Sequence, residues 1–157
     1  MNQRKELEAL EYKMFGEAMF GFHMLDTDFK QLLNIHLITE SVMEKIIELV
    51  LGKNADAVLS LTLTYKQKLD ICSKLVLQNG ESALNYPTIR SLRKLDNLRN
   101  QLSHTLDNDI RKEELLELLL EVEKNPSSEI LNASNEVIMR AYFAHIFPLM
   151  FGRQVSS

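Results

Sequence analysis

The sequence predicts an all-α protein, an antiparallel bundle of five to six helices that forms a single domain over residues 1–157. Three observations support this prediction. Apolar residues recur at the three- and four-residue spacing of a helix face through most of the chain. Residues that cap or break helices separate these stretches. The alternation typical of a strand appears only briefly, at residues 59–63.

The first two helices are predicted from a charged stretch and from a capping signal. Residues 3–13 form a charged helix, and the apolar, glycine-interrupted segment 15–25 is expected to pack on the domain or on a partner. Asp28, with Gln31 three residues later, resembles a capping box that starts a second helix, which should end before Gly52. Apolar residues cover two faces of this helix, which places it at the centre of the bundle or in a dimer interface.

The later helices follow from similar signals. Thr64 and Gln67 form a second candidate capping box, and Asn125-Pro126 breaks a leucine-rich helix. The predicted ranges are 65–77, 86–106, 110–123 after a cap at 107–109, and a last helix from Ser127 or Ser128 to about Pro148. The apolar end of the chain, residues 143–151, is expected to dock on the domain or into a dimer interface.

Charge and composition limit the classes of function. The formal net charge of −4 argues against broad coating of nucleic acid or binding to a membrane surface. No apolar run approaches the length of a membrane span, and the chain starts with charged residues rather than an apolar signal region, so we expect a cytoplasmic protein. Cys72 is the single cysteine, which excludes a disulfide within one chain and predicts a buried, inert thiol.

The helix predicted from Tyr86 to about Leu106 combines a core stripe with a concentrated set of polar groups. Asn85 can cap its free amides, and Pro87 fits its first turn. At roughly 100° per residue, one arc carries Leu92, Leu95, Leu98, Leu102 and Leu106, and the opposite arc carries Arg90, Arg93, Asn97, Asn100 and His104. Arg99 lies at the border between the arcs, so it should be partly desolvated.

Arg99 and His104 are five positions apart, so their directions from the helix axis differ by roughly 140°. Within one chain they would make a poor catalytic pair. A second copy of the helix, lying across the first in a two-fold dimer, would gather two arginines and two histidines in one cleft. The alternative is an arginine at the core edge and a surface histidine on an ordinary packed helix.

The run LDNLRNQLSH, from Leu95 to His104, resembles the signature of the HEPN superfamily, an all-helical group that includes many prokaryotic endoribonuclease toxins. That signature is an arginine, a polar residue that is often asparagine, and a histidine a few residues later. Arg99, Asn100 and His104 match it. The order of a helix, a glycine-containing turn and the motif helix is also similar, and the resemblance covers residues 61–107.

The resemblance implies a metal-independent endoribonuclease of toxin–antitoxin type that needs no cofactor. His104 would be the acid–base group, and Arg99 would hold the phosphate. Asn100 would orient the substrate or the histidine, and Arg93 and Arg90 would guide the RNA backbone. In the superfamily such sites form at a homodimer interface, and the products carry a 2′,3′-cyclic phosphate. Many members are held in check by an antitoxin, often a nucleotidyltransferase-like protein.

Two other interpretations remain open. The first is a non-enzymatic helical regulator or partner-binding domain, because the family named for the mannitol operon repressor has a similar helix order and a related Arg-Asn…His run. The motif would then be a structural element of a dimer. Nothing in the sequence resembles a helix-turn-helix DNA reader. The second is an adaptor bundle unrelated to either family.

Glu40 is predicted to support the motif from the second helix. It lies on an apolar face between Leu37 and Ile47, and a buried carboxylate needs a partner. Arg99 is the candidate partner, so Glu40 would lock the arginine side chain in place. His36, four residues before Glu40, shares its helix face in the way that metal ligands do. No third ligand completes a site, so we expect no metal.

Overall fold

The computed structural model describes residues 2–22, 27–105 and 109–152, with only the backbone for residues 19–22. Its helices are α1 Gln3–Phe22, α2 Asp28–Leu51, α3 Ala55–Leu59, α4 Tyr65–Lys74, α5 Tyr86–Ser103, α6 Lys112–Val122, α7 Ser128–Leu131 and α8 Asn135–Met150. Six of them have ten or more residues. The described ranges contain no strand, only an isolated bridge between Val76 and Ser82. The prediction of an all-α bundle is therefore confirmed.

The α2 helix lies at the centre of the bundle, as its two apolar faces predicted. It packs against α1, α3, α4, α5 and α8. Ile35, Val42 and Ile46 are buried on it. Leu37, which was expected to lie on a buried face, is 59% exposed. The reason is geometric, since Leu37 points roughly 200° away from Ile35 and therefore outward.

The capping predictions for α2 and α4 have different outcomes. At α4 the capping box is confirmed, because Thr64 Oγ1 accepts from the N–H of Gln67 and the Gln67 side chain accepts from the N–H of Thr64. At α2 the cap is Thr27 instead, whose hydroxyl accepts from the N–H of Lys30 at 3.2 Å. Asp28 is the first residue of the helix, and its carboxylate accepts from the side chain of Asn135 at 3.0 Å.

Several predicted helix limits are corrected. The first helix is continuous across Gly16, and α4 ends at Lys74 rather than residue 77. It ends early because the N–H of Leu77 donates to the carbonyl of Glu81 at 2.8 Å, which closes a tight turn around Gly80 at φ 87°. The predicted last helix is two helices, since Ser127 caps α7 and Ser134 caps α8.

The apolar C-terminal segment docks on the domain. Phe143, Ile146, Phe147, Met150 and Phe151 are almost completely buried. The first helix secures this end of the chain, because Arg4 donates to the carbonyl of Phe151 at 2.9 Å and forms an ion pair with Glu81. No helix in the described ranges has the length and apolar character needed to cross a membrane.

Candidate functional site

The motif lies in the last turns of α5, and local sequence explains how this helix is positioned. Asn85 Oδ1 accepts from the N–H of Thr88 at 3.0 Å, and Pro87 occupies the first turn, as predicted. The predicted core leucines Leu92, Leu95, Leu98 and Leu102 are buried. Leu106 and the cap residues 107–108 lie outside the described residues. The leucine stripe therefore fixes the rotation of α5 and turns the polar part of the motif outward.

Arg99 and Asn100 face a cleft between α2, α5 and the start of α4. It has a volume of about 600 Å³ and is lined by His36, Glu40, Leu63, Thr64, Tyr65, Lys66, Asp96, Asn97, Arg99 and Asn100. Arg99 is half-buried, as predicted, and its Nη1 donates to Asn100 Oδ1 at 3.0 Å. Its Nε is shielded from solvent and has no acceptor within the described part of the chain. Its Nη2 makes no hydrogen bond within the described residues and is the donor available to a further acceptor in the cleft.

His104 lies at the C-terminal cap of α5 and is exposed. Its backbone N–H donates to the carbonyl of Gln101 at 3.2 Å. It does not line the cleft that holds Arg99. One chain alone therefore does not bring the arginine and the histidine of the motif together.

The arginines proposed to guide RNA are each close to a carboxylate. Arg90 Nη2 lies 3.2 Å from Glu121 Oε1, and the guanidinium stands over the ring of Tyr86. Arg93 Nη2 lies 3.5 Å from an oxygen of Asp70. Lys94 also binds Glu121, and its hydrogen bond lowers the pKa of that carboxyl. The outer surface of α5 is therefore balanced in charge along this stretch rather than uniformly basic.

The predicted ion pair between Glu40 and Arg99 is wrong. Glu40 Oε1 accepts from Lys68 Nζ at 2.8 Å, and Glu44 accepts from the same ammonium at 2.6 Å. Burial opposes the charge on Lys68, but the hydrogen bonds to both carboxylates outweigh it and raise the pKa of Lys68. Glu40 still lines the cleft, but α4 supplies its cation.

His36 is the functional candidate that sequence reasoning missed, since it was considered only as a metal ligand. Its Nε2 lies 2.9 Å from Asp96 Oδ1, and the two side chains are only 7% and 13% exposed. The imidazole stacks on Tyr65 with ring centroids 4.0 Å apart. Because the two partners are 60 residues apart, no local spacing could have indicated the pair. The structure thus places a histidine–carboxylate pair in the same cleft as Arg99.

A chain of hydrogen bonds fixes this histidine in place. Thr39 Oγ1 donates to the carbonyl of His36 at 2.9 Å and lies 2.8 Å from the hydroxyl of Tyr65. The single hydroxyl proton of Thr39 is used on the carbonyl, so Tyr65 is the donor to Thr39. Burial raises the pKa of Tyr65 well above its ordinary range. Burial lowers the pKa of His36, although Asp96 opposes this shift, so the ring is neutral near pH 7.

The cleft thus holds an arginine, a residue type suited to anions, and an imidazole, a group suited to proton exchange. Within the described residues, no group of three or more His, Cys, Asp or Glu side chains is arranged to hold a metal ion. No family model matches the chain, and neither does any curated protein or solved structure. The residues of this cleft and the motif of α5 are therefore the features of the molecule that bear on its function.

Proposed function

We propose that the protein is a metal-independent endoribonuclease, of the toxin–antitoxin type that the motif resembles. The observation that carries the proposal is Arg99, which lines an open cleft and forms no ion pair with a carboxylate of the described residues. A half-buried arginine without a carboxylate partner is stabilised when an anionic ligand supplies acceptor oxygens to its outer N–H groups. A phosphodiester offers such oxygens, and the forked donors of arginine suit them.

The neighbours of Arg99 support binding of a phosphate rather than of a neutral ligand. Lys66 lines the same cleft, and no carboxylate pairs with it in the described structure. Of the two carboxylates in the cleft, Glu40 is bound to Lys68, and Asp96 is bound to His36. Asn100 accepts from Arg99 through Oδ1, which leaves its amide N–H groups for a substrate oxygen.

His104 would act from a second copy of the chain. It is exposed and lies roughly 7.5 Å farther along the helix axis than Arg99, on a different side of the helix. A two-fold homodimer in which the ends of the two α5 helices meet would bring His104 of one copy to the cleft of the other. There an imidazole can exchange protons with the reacting oxygens near neutral pH, while Arg99 stabilises the negative charge on the phosphoryl oxygens.

A non-enzymatic regulator or partner-binding domain is the second candidate function. The observation that favours it is the row of ion pairs on the outer surface of α5, where Glu121 binds Arg90 and Lys94, and Asp70 binds Arg93. A surface with interspersed charges of both signs suits a protein partner better than an RNA backbone. On this proposal the partner would cover α5, and the chain would cut no RNA.

The test is cleavage of total cellular RNA by the purified full chain in EDTA. We expect wild type to cut and to leave 2′,3′-cyclic phosphate ends. Arg99→Ala and His104→Ala should each lower the rate by about 10²–10⁴-fold while keeping the wild-type melting temperature.

Arg140→Ala is the matched control, because Arg140 is an exposed arginine paired with Glu136 on α8, outside the cleft. It should cut like wild type. An inert wild type, or equal cutting by all variants, would support the binding domain instead.

A further inference from the structure

We propose that His36 is a second catalytic residue of this nuclease, the general base that removes the 2′-hydroxyl proton, with Asp96 as its positioning residue. This inference rests on the proposed function and divides the acid–base work between two histidines. His104 of the partner copy then acts as the acid. His36, Asp96 and Arg99 all line the same cleft.

The three residues come from two helices that pack against each other. His36 is on α2, and Asp96 and Arg99 are on α5. Asp96 and Arg99 are three residues apart, so they are neighbours on the surface of α5. One chain therefore holds an oriented imidazole beside the group proposed to bind phosphate.

Asp96 sets the tautomer of the imidazole. An ionised carboxylate only accepts hydrogen bonds, so the neutral ring that binds it must carry its hydrogen on Nε2. The lone pair is then on Nδ1, and within the described residues no hydrogen bond uses that nitrogen. In a histidine general base, a carboxylate binds one ring nitrogen, and the second ring nitrogen accepts the proton.

The surroundings keep the ring ready for this role. Tyr65 from α4 stacks on the ring and is itself held by Thr39. The charged groups that face His36 are Asp96 and Arg99 from α5 and Glu40 from its own helix. Burial lowers the pKa of His36 and keeps the ring neutral at pH 7, which a base requires.

The proposed step balances in atoms and charge. The proton of the 2′-hydroxyl moves to His36 Nδ1, the 2′-oxygen bonds to phosphorus, and the bond from phosphorus to the 5′-oxygen breaks. The partner's His104 gives its proton to that 5′-oxygen. The products are a 2′,3′-cyclic phosphate and a 5′-hydroxyl, and Asp96 stabilises the imidazolium that His36 becomes until its proton returns to water.

The variant that tests the base is His36→Gln, whose side-chain amide can still donate to Asp96. We expect cleavage of the shortest sensitive RNA oligonucleotide to fall about 10²–10⁴-fold. The rise of the wild-type rate with pH, from acid toward neutral, should disappear in the variant. Binding of the same oligonucleotide with 2′-O-methyl groups, which cannot be cut, should stay within about twofold, because the proposed phosphate site is intact.

A structural role of His36 would give a different pattern, with a lower melting temperature and weaker binding but an unchanged pH profile. The matched control is His145→Gln, since His145 binds Glu123 and the carbonyl of Ala141 away from the cleft. It should leave the rate and pH profile unchanged. If His36→Gln does not fold, Asp96→Asn takes its place and should lower the rate and shift the acid side of the profile.

Mixing inactive variants gives a second test of which chain supplies each residue. His36→Gln mixed with His104→Ala should regain activity, because one cleft of the mixed dimer then has His36, Arg99 and the partner's His104. His36→Gln mixed with Arg99→Ala should stay inactive, because every cleft lacks one of the two. If wild type cuts RNA and His36→Gln cuts it with the same rate and pH profile, the role of His36 as base is overturned, whereas the proposed function stands. An inert wild type would overturn the proposed function as well.

Discussion

The hydrogen-bond chain behind the candidate site allows a double-mutant cycle with Thr39→Val and Tyr65→Phe. Thr39→Val keeps the side-chain shape but removes the hydroxyl. That hydroxyl accepts a hydrogen bond from the buried Tyr65 hydroxyl and donates its own proton to the carbonyl of His36. The tyrosine hydroxyl is then a buried donor without an acceptor. We therefore expect the free energy of unfolding to fall by about 1–3 kcal/mol.

Tyr65→Phe should cost less, about 0.5–1.5 kcal/mol, because Thr39 still donates to the carbonyl of His36. In the double variant both polar partners are gone, and no hydroxyl of this pair is left unpaired. The cost of the double variant should therefore be smaller than the sum of the single costs by about 1 kcal/mol.

Urea denaturation at pH 7.5 measures the three free energies. Equal slopes of the unfolding curves would show that the variants change stability and not the extent of unfolding. Additivity within about 0.3 kcal/mol would refute the assignment of Tyr65 as donor to Thr39. The hydrogen-bond chain would then not be what holds the ring of His36.

Two further predictions follow from buried titratable groups. The folded-state pKa of His36 lies below the ordinary value of 6.5, so the unfolded chain binds more protons than the folded chain as the pH falls below 6.5. The contribution of His36 to stability should therefore be full above pH 6.5 and fall as the pH drops through this value. Urea denaturation between pH 7.5 and 5 should show a smaller loss of unfolding free energy for His36→Gln than for wild type, and equal losses would contradict the prediction. Burial raises the pKa of the Cys72 thiol to about 12. A thiol reagent at pH 8 should therefore leave the folded protein unmodified and label the protein unfolded in urea. Rapid labelling of the native state would contradict the prediction, because it would show that the thiol is accessible.

Sequence patterns predicted the parts of the fold that short-range rules determine. The capping box of Thr64 and Gln67, the helix end at Gly52 and the buried leucine stripe of α5 all depend on residues a few positions apart. The same rules placed Arg99 at the edge of the core, because its position on the helix relative to the leucines determines its burial.

The composition of the site could not be predicted in this way, because it depends on how helices pack. Glu40 and Arg99 line one cleft, yet Lys68 on α4 takes the carboxylate. The pairing of His36 with Asp96 joins α2 to α5 across 60 residues. His36 was considered only as a metal ligand beside Glu40, in a site that no third ligand completes, and nothing local showed that its partner would be an aspartate on another helix.

The most direct test of the central claim is complementation between two inactive variants. Arg99→Ala and His104→Ala, each inactive alone, are mixed in equal amounts, allowed to exchange subunits and assayed on RNA in EDTA. A site shared by two copies predicts recovery of about a quarter of the wild-type rate, because half of the dimers are mixed and each has one intact site of two. No recovery in mixtures shown to contain mixed dimers would contradict a site built from Arg99 of one copy and His104 of the other.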